Sequence, residues 1–548
     1  MCGFLGTVFA PVSDNLWRNV AGLIEYRGTI WGRVRGAKFD FLARRLPRSG
    51  DRTKPQPIVT STGCVLVFNG EIYNAPELAA LMNIKHDVDV SDSFILAHWL
   101  ESRGWDGLFH IIGEYSFGFW NANQEEVILA CDLFGSHPLF FGQTEGRTCF
   151  GSSAKAVSIL LGKDGLYDRN ALSDSLWFGV SPKSTIYSGV FALPPGHCLK
   201  VGRGRSVMRK VQSWGGTKQG DTGELVDALA EAIALRVDTD RAGLFWSGGL
   251  DSSVLSVLWP SNRAKAVFHI REHGELLTGD HVCVSLSGTS CRGRIETLVR
   301  TAERPITSLT PLGFLLLCNV ASERGVESIL SGEGADEIFG GYPYYGMESP
   351  GHPLLLLKLE QIRWLGRWFE FDPLLSTSEE LQVMLTEEDP YRWLSFDRQY
   401  RLPGHLSSLN SDIPNLLAGL ESRLPYLDLA IHSVGPTCRP LGEKENLKAV
   451  AAQCGVSIPS KSGIYISPML LGDEWMISAL EVVRDSDMAE HVGLSRGSIN
   501  SMVRCFRERS ANVEALERLS RVVLGLWSLV VLSGDMPVGS VIDDIRPQ

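Results

Sequence analysis

Cysteine is the second residue of the chain, in Met1-Cys2-Gly3-Phe4-Leu5-Gly6, and removal of one methionine would make its thiol N-terminal. An N-terminal nucleophile carries its own base. The free α-amino group titrates at about 7.7–8.0 and the thiol at about 8.5, so proton exchange between them is nearly balanced. Taken alone, Cys2 reads equally well as a small hydrophobe in a buried first strand. The balance shifts at Val65-Leu66-Val67-Phe68, an apolar strand signal that runs into Asn69-Gly70-Glu71-Ile72-Tyr73-Asn74. Asn69 offers a side-chain NH₂ and Gly70 an unshielded backbone N–H, a pair of donors for the oxyanion formed when a thiol attacks an amide. Glu71 and Asp92, the latter opening a helix-like run through Trp99, could hold a substrate ammonium, and Arg45 could take a carboxylate as a bidentate fork. A site for one ammonium, one carboxylate and one amide is a site for glutamine.

A second chemical signal is Ser247-Gly248-Gly249-Leu250-Asp251-Ser252-Ser253, placed between apolar Ala242–Trp246 and apolar Val254–Leu258. The pattern is strand, glycine-rich loop, helix. Backbone N–H groups of such a loop, with the hydroxyls of Ser247, Ser252 and Ser253, make a cradle for phosphate oxygens. The Walker-A lysine is absent, and Asp251 could instead hold Mg²⁺, which prefers a carboxylate plus phosphate oxygens. A third run, Ser331-Gly332-Glu333-Gly334-Ala335-Asp336-Glu337, again follows a strand signal, Ser328-Ile329-Leu330. Two loops after strands suit a parallel sheet, where both can face one nucleotide. Ser331 and Gly332 then join the ATP-binding residues, Asp336 is a second Mg²⁺ ligand, and Glu333 is free to position an acceptor or take a proton.

On these residues the N-terminal part, to about residue 205, resembles the class II glutamine amidotransferases, with Cys2-Gly3, Tyr26-Arg27-Gly28, Arg45-Leu46, Asn69–Asn74 and Ser91-Asp92 in that family's order. The resemblance implies Cys2 as thioester-forming nucleophile, Asn69 and Gly70 as oxyanion hole, and Arg45, Glu71 and Asp92 as glutamine ligands. Thr29-Ile30 and Cys131-Asp132 depart from the family pattern, the second by losing an arginine before the aspartate. The two loops resemble the synthetase part of the asparagine synthetase family, as do Leu420-Glu421-Ser422-Arg423-Leu424-Pro425-Tyr426-Leu427-Asp428 and Ile458-Pro459-Ser460-Lys461. Lys461 matches that family's lysine near the phosphates and is taken as catalytic with Glu333.

The implied activity is a carbon–nitrogen ligase of the glutamine-hydrolysing asparagine synthase type. Glutamine is hydrolysed to ammonia, ATP with Mg²⁺ adenylates a carboxylate, and ammonia converts that acyl-adenylate to an amide. Aspartate is the default acceptor on family grounds. Yet Leu309, in Thr307-Ser308-Leu309-Thr310-Pro311, stands where an arginine would serve aspartate, and Asn410–Pro414 is altered as well. Arg292, Arg294 and Arg304 are the candidates to compensate. The alternatives are another carboxylate, such as a sugar acid, a peptide or a specialised metabolite, and a cyclase resembling β-lactam synthetase. Retention of Cys2, Asn69, Gly70 and Glu333 argues against the cyclase, which would need no external ammonia. The likeness also allows a homodimer.

The elements that must position these groups divide at about residue 205. Residues 1–205 are expected to form layered antiparallel sheets of the Ntn-hydrolase kind, an α+β amidase. Residues 206–548 are expected to form an α/β parallel-sheet nucleotide-binding domain with a helical C-terminal part. Pro194-Pro195-Gly196-His197 and Val201–Arg205 punctuate the boundary, and Asp221 precedes a helical spacing of Leu225, Leu229 and Ile233. A chain of 548 residues, 44% hydrophobic, can bury sizeable cores. A formal charge of −11 argues against a nucleic-acid partner. The 11 cysteines include no Cys-x-x-Cys spacing for zinc and suggest no disulfide framework. The longest apolar run, Val522–Leu532, is too short to cross a bilayer and is expected to be a core helix. With no signal-type start, the expectation is a cytoplasmic protein with reduced thiols. No motif is evident in 471–548.

Overall fold

Every residue of β1 (Cys2–Val8) is buried, because the strand is covered on both faces. The computed structural model describes all residues except 1, 47–55, 85–89, 180–184, 214–219, 238, 272–280, 347–352, 370–377, 387–390, 435–443, 458–464, 510 and 535–548. In chain order β1 is followed by β2 (Ile30–Arg35), β3 (Phe39–Arg45), β4 (Ile58–Val59), β5 (Val65–Ile72), β6 (Gly113–Asn121) and β7 (Glu126–Cys131). Next come β8 (Phe140–Thr144), β9 (Arg147–Gly151), β10 (Phe191–Ala192), β11 (His197–Gly202) and β12 (Arg205–Lys210). They form two six-stranded antiparallel sheets, β10-β8-β9-β1-β3-β2 and β12-β11-β7-β6-β5-β4.

Period-two alternation packs these sheets face to face. Phe4 and Val8 from the first sheet meet Val65, Val67 and Leu129 from the second, whereas Leu5 points outward to the helix Asp14–Gly22. Leu66, Phe68 and Phe117 point the other way, onto the helices Ala75–Leu81 and Asp92–Arg103. The order helix, sheet, sheet, helix is the layered amidase architecture expected from the sequence. Close approach of the sheets depends on two glycines around one ring: a Cβ on Gly6 would lie 2.2 Å from Phe150, and one on Gly118 2.3 Å. The β11–β12 hairpin carries the second sheet to Lys210, so the domain boundary we propose falls between Lys210 and Thr222 and not at 205.

The helix Thr222–Arg236 starts at Asp221 with a capping box closed by Glu224 and buries Leu225, Leu229 and Ile233. After it come β13 (Ala242–Phe245), β14 (Ala266–Arg271), β15 (His281–Ser285), β16 (Ser328–Leu330) and β17 (Glu421–Arg423). They form one parallel sheet in the order β15-β14-β13-β16-β17. The chain turns from one side of the sheet to the other between β13 and β16, and at such a switch point a crevice opens beyond the strands' carboxyl ends. The Ser247 and Ser331 loops leave β13 and β16 there. Helices dominate the remainder, ending in Val513–Ser533, in which Val522 to Leu532 are all buried. Trp527 packs on Trp475 with ring centroids 5.2 Å apart, in a core that also takes in Leu172 and Leu176 from the first half. Trp393 is buried as well. Among the described residues no helix is long and apolar enough to cross a membrane.

Buried charge joins the halves. Arg236 reaches Glu114 of β6 at 2.7 Å and Asp428 at 2.9 Å, and its guanidinium lies 4.4 Å from the ring centre of Tyr73. Arg27 pairs with Asp412 at 3.4 Å, and Asp412 also meets His137 Nδ1 at 3.0 Å. Breaking one buried pair leaves an uncompensated carboxylate. Arg236→Met is therefore expected to lower the unfolding free energy by about 3–5 kcal/mol, seen as a fall in the urea midpoint. Arg484→Ala, which removes a solvent-facing pair with Asp485, should cost less than about 1 kcal/mol. Equal midpoints for the two variants would remove the buried pair as a stabilising element.

Candidate active site

Strand register brings the first group of expected residues together. Cys2 lies opposite Arg45 in the β1–β3 pairing, and the Cys2 backbone nitrogen donates to Asn69 Oδ1 at 2.6 Å. That bond turns the Asn69 amide so that its Nδ2, although buried, has no partner among the described residues. Gly70 follows with φ +136, and a Cβ there would lie 2.0 Å from the Glu114 carbonyl oxygen, so the backbone can approach only as glycine. Burial raises the Cys2 thiol pKa; the chain's N-terminal charge and Arg45 oppose this, and Glu421 adds to it.

Asp92 opens its helix after the Ser91 cap and accepts from the Ile72 N–H at 3.1 Å and from its neighbour Ser93 at 2.6 Å. Burial, and then the adjacent Glu71, raise its pKa, and Arg45 pulls it down. Cys2, Asn69, Gly70, Arg45, Glu71 and Asp92 thus share one site. At the departure from the family pattern, Asp132 holds the following turn by accepting from Phe134 N–H at 2.8 Å and Tyr115 N–H at 3.0 Å.

The second group gathers where β13 and β16 end. Gly248 has φ +77, Ser252 Oγ accepts from the Ser247 N–H at 3.2 Å, and Ser253 Oγ accepts from Trp246 Nε1 at 3.2 Å. These bonds shape the loop, while Ser331 Oγ in the neighbouring loop is buried with no hydrogen-bond partner among the described residues. Asp251 and Asp336 converge on a residue that the sequence reading passed over: Lys444 Nζ lies 2.6 Å from Asp251 Oδ1 and 2.8 Å from Asp336 Oδ1. Gly341 makes room for the pair, since a Cβ there would lie 2.0 Å from Asp336 Oδ1 and 2.1 Å from Lys444 Cε. Burial lowers the Lys444 pKa, but the two aspartates outweigh it and hold the ammonium above its ordinary value. Lys444 sits in a charged stretch, Glu443-Lys444-Glu445, that reads as a solvated turn. Lys461, the lysine expected here, lies outside the described residues.

Two carboxylates that reach one cation are also a donor set for Mg²⁺, which takes one or two carboxylates together with phosphate oxygens. Asp251 and Asp336 fit that group. Among the described residues there is no further cluster of metal-ligating side chains. Glu333 is pushed up to about 8, by burial first and then by Glu337, Asp336 and Asp251, so it holds a proton near neutrality. All of these residues border a cavity of about 860 Å³.

The acceptor side differs from expectation in detail. Leu309 is fully buried, its N–H given to the Ile466 carbonyl at 3.0 Å, and it does not border the cavity, whereas Thr307, Ser308, Thr310 and Asn410 do. Of the three arginines considered as substitutes, Arg304 borders the cavity; Arg292 donates to the Leu471 carbonyl and Arg294 to that of Ser290. The segment around Leu286–Arg294 is the Ser287-capped start of the helix Gly288–Ala302. Residues 471–548 are not inert either, since Arg518, Arg521 and Val522 close part of the cavity wall.

A glutamine amidotransferase domain family matches residues 1–213, and an asparagine synthase family matches residues 224–440. The chain is 26% identical over 347 residues to asparagine synthetase [glutamine-hydrolyzing] 3 of Bacillus subtilis, covering 55% of this chain and 56% of that protein. It is 28% identical over 320 residues to a putative asparagine synthetase [glutamine-hydrolyzing] of Mycobacterium bovis, covering 51% and 48%. A third relative, asparagine synthetase [glutamine-hydrolyzing] 1 of Bacillus subtilis, is 25% identical over 395 residues, covering 66% and 61%. The chain thus spans about half the length of the first two curated relatives. With an amidotransferase domain followed by an asparagine synthase domain on one polypeptide, the chain belongs to the asparagine synthetase family.

Proposed function

We propose that the protein is a glutamine-dependent ligase that uses ATP to adenylate a carboxylate and converts it to an amide with ammonia. The observation that carries this reading is Lys444 held between Asp251 and Asp336 at the mouth of the β13 and β16 loops, a charge arrangement suited to a triphosphate. With Met1 removed, the Cys2 amine takes the thiol proton and the thiolate attacks the glutamine carboxamide. The orphaned Asn69 Nδ2 and the Gly70 N–H hold the oxyanion, while Arg45 grips the substrate carboxylate and Glu71 with Asp92 its ammonium.

In the other half, the Ser247–Ser253 loop and Ser331 with Gly332 cradle phosphates. Asp251 and Asp336 would hold Mg²⁺, which when bound supplies charge neutralisation on the triphosphate. Lys444 adds a positive charge where the leaving pyrophosphate develops its own. Glu333, protonated near neutrality, orients the acceptor and relays a proton as ammonia attacks. Lys461 keeps its expected role beside the phosphates. The cytoplasmic setting and a homodimer belong to the same proposal, on composition and family likeness.

Aspartate is the family's default acceptor, but two observations favour a larger acid. Leu309 is packed away from the cavity where a carboxylate-binding arginine was expected, and the cavity extends past the loops to Trp177 and Arg304.

Cys2→Ala is expected to abolish glutamine hydrolysis while leaving synthesis from ammonium intact; glutamine-supported synthesis by the variant would refute the nucleophile assignment. Asp251→Asn and Asp336→Asn should each suppress pyrophosphate release by more than ~10²-fold with glutaminase activity preserved, and wild-type-like release from both would remove the Mg²⁺ assignment. Aspartate is expected to turn over weakly, so a sub-millimolar KM in the pyrophosphate assay would restore it as the acceptor.

A further inference from the structure

Two basic side chains, Arg304 and Lys358, border the cavity together with the imidazole of His405 on a wall that the proposed chemistry does not use. Arg304 donates to the carbonyls of Gly179, at 3.0 Å, and Gly404, and Lys358 donates to the carbonyl of Phe178. His405 stands beside them on the stretch Asp397–Asp412. Carbonyl oxygens satisfy hydrogen-bonding hydrogens but carry no charge to offset a cation. Among the described residues no carboxylate forms an ion pair with Arg304, Lys358 or His405. Neighbouring cations do have counter-ions: Arg401 pairs with Asp397 at 3.3 Å, and Arg521 with Glu517 at 3.3 Å.

The cost of that arrangement appears in the groups themselves. Burial lowers Arg304 to about 10. Burial, then Arg401 and Arg521, lower Lys358 to about 7, with Asp397 opposing. Burial, then Arg304, Arg401 and Lys358, hold His405 well below its ordinary range. Positive charge recessed from water without a counter-ion is unfavourable, and an anion entering the cavity relieves it.

This wall is distinct from the acidic end of the cavity. The largest charge influences on Glu333 are Glu337, Asp336, Arg401 and Asp251, whereas those on Lys358 and His405 are mostly basic, with Arg401 common to all three. Trp177, Ile306, Ile362, Leu365 and Leu409 supply apolar lining to the same cavity.

We propose that Arg304, Lys358 and His405 form an anion subsite that takes a second acidic group of the acceptor, separated by an apolar spacer from the carboxyl that is activated at the Asp251 and Asp336 loops. The assignment rests on the ligase reading above for the identity of the activated carboxyl. The subsite itself rests on the charges and the cavity alone. Aspartate has two carboxyls but no apolar spacer, so it does not match this pattern.

The test uses the full chain with saturating ATP and Mg²⁺, and two matched probe series: adipate, suberate and sebacate against hexanoate, octanoate and decanoate. Binding is followed by calorimetry and activation by pyrophosphate release with ammonium present. At least one diacid is expected to bind about ten-fold or more tightly than its matched monoacid, as the loss of a charge-assisted contact implies. Arg304→Gln and Lys358→Met should each erase that margin without changing monoacid binding or ATP affinity, and Lys358→Arg should keep it. Equal binding of both series, no binding of either while ATP binds normally, or variants that weaken both series alike would overturn the subsite. Diacid binding that depends on both residues but never yields pyrophosphate separates the two claims: the anion subsite stands and the ligase reading falls.

Discussion

Arg236 is 1% exposed and lies between a carboxylate from each half of the chain, Glu114 of the second antiparallel sheet and Asp428 beyond the parallel sheet. A buried guanidinium is tolerable only when its partners stay in place. These pairs therefore fix how the two halves meet. The same face carries Arg423 at the end of β17. Its carbonyl accepts from Ser331 N–H at 3.2 Å, while its guanidinium reaches Glu71 at 3.3 Å and Glu421 at 2.8 Å. One residue thus touches the proposed glutamine pocket with its side chain and the proposed phosphate loop with its backbone. The sites are separate in sequence but share a strand.

Charge is sorted along the cavity by that geometry. Carboxylates collect where the two parallel strands end, and Lys444 is recessed between Asp251 and Asp336. Further along, the sign reverses at Arg304 and Lys358, with His405 beside them. Arg401 is the hinge of this arrangement, stacked 4.4 Å from the Tyr342 ring centre and paired with Asp397, whose Oδ2 also accepts from Tyr345 at 2.7 Å. A neutral cavity of this size would select by shape alone. This one selects by the position of charge along the ligand.

What could be read from the sequence was whatever chemistry wrote into contiguous residues. The Asn69–Asn74 run and the two glycine-rich loops each carry backbone and side-chain function within seven residues, so their types and order revealed them. The parallel sheet followed from apolar strand signals ahead of both loops, and the layered amidase from the likeness carried by Cys2-Gly3 and Asn69–Asn74. Lys444 escaped because its meaning lies in two aspartates more than a hundred residues away. A lysine flanked by glutamates carries no local sign that it will be 6% exposed. The terminal helices escaped for the opposite reason: their apolar pattern explains them fully as core, and Arg518 and Arg521 become cavity residues only through the packing of Val513–Ser533. Leu309 was expected at the acceptor pocket, yet it is fully buried and outside the cavity lining, because its apolar side chain packs into the core while its N–H is given to the Ile466 carbonyl.

The two sites also meet the cost of buried ionisation in different ways. At the glutamine end the thiol is buried, which raises its pKa, and the opposing influences are the chain's own N-terminal charge and Arg45. On the proposed reading, a nucleophile so placed would depend on a free amine beside it, since burial and the nearby Glu421 both work against ionisation of the thiol. In the second site, burial and the neighbouring carboxylates raise Glu333 to about 8, and Lys444 offsets the charge of Asp251 and Asp336. On the ligase reading proposed above, a bound triphosphate would compete with the two aspartates for Lys444. Since both aspartates also act on Glu333, its protonation would then follow occupancy of the phosphate loops through charge alone.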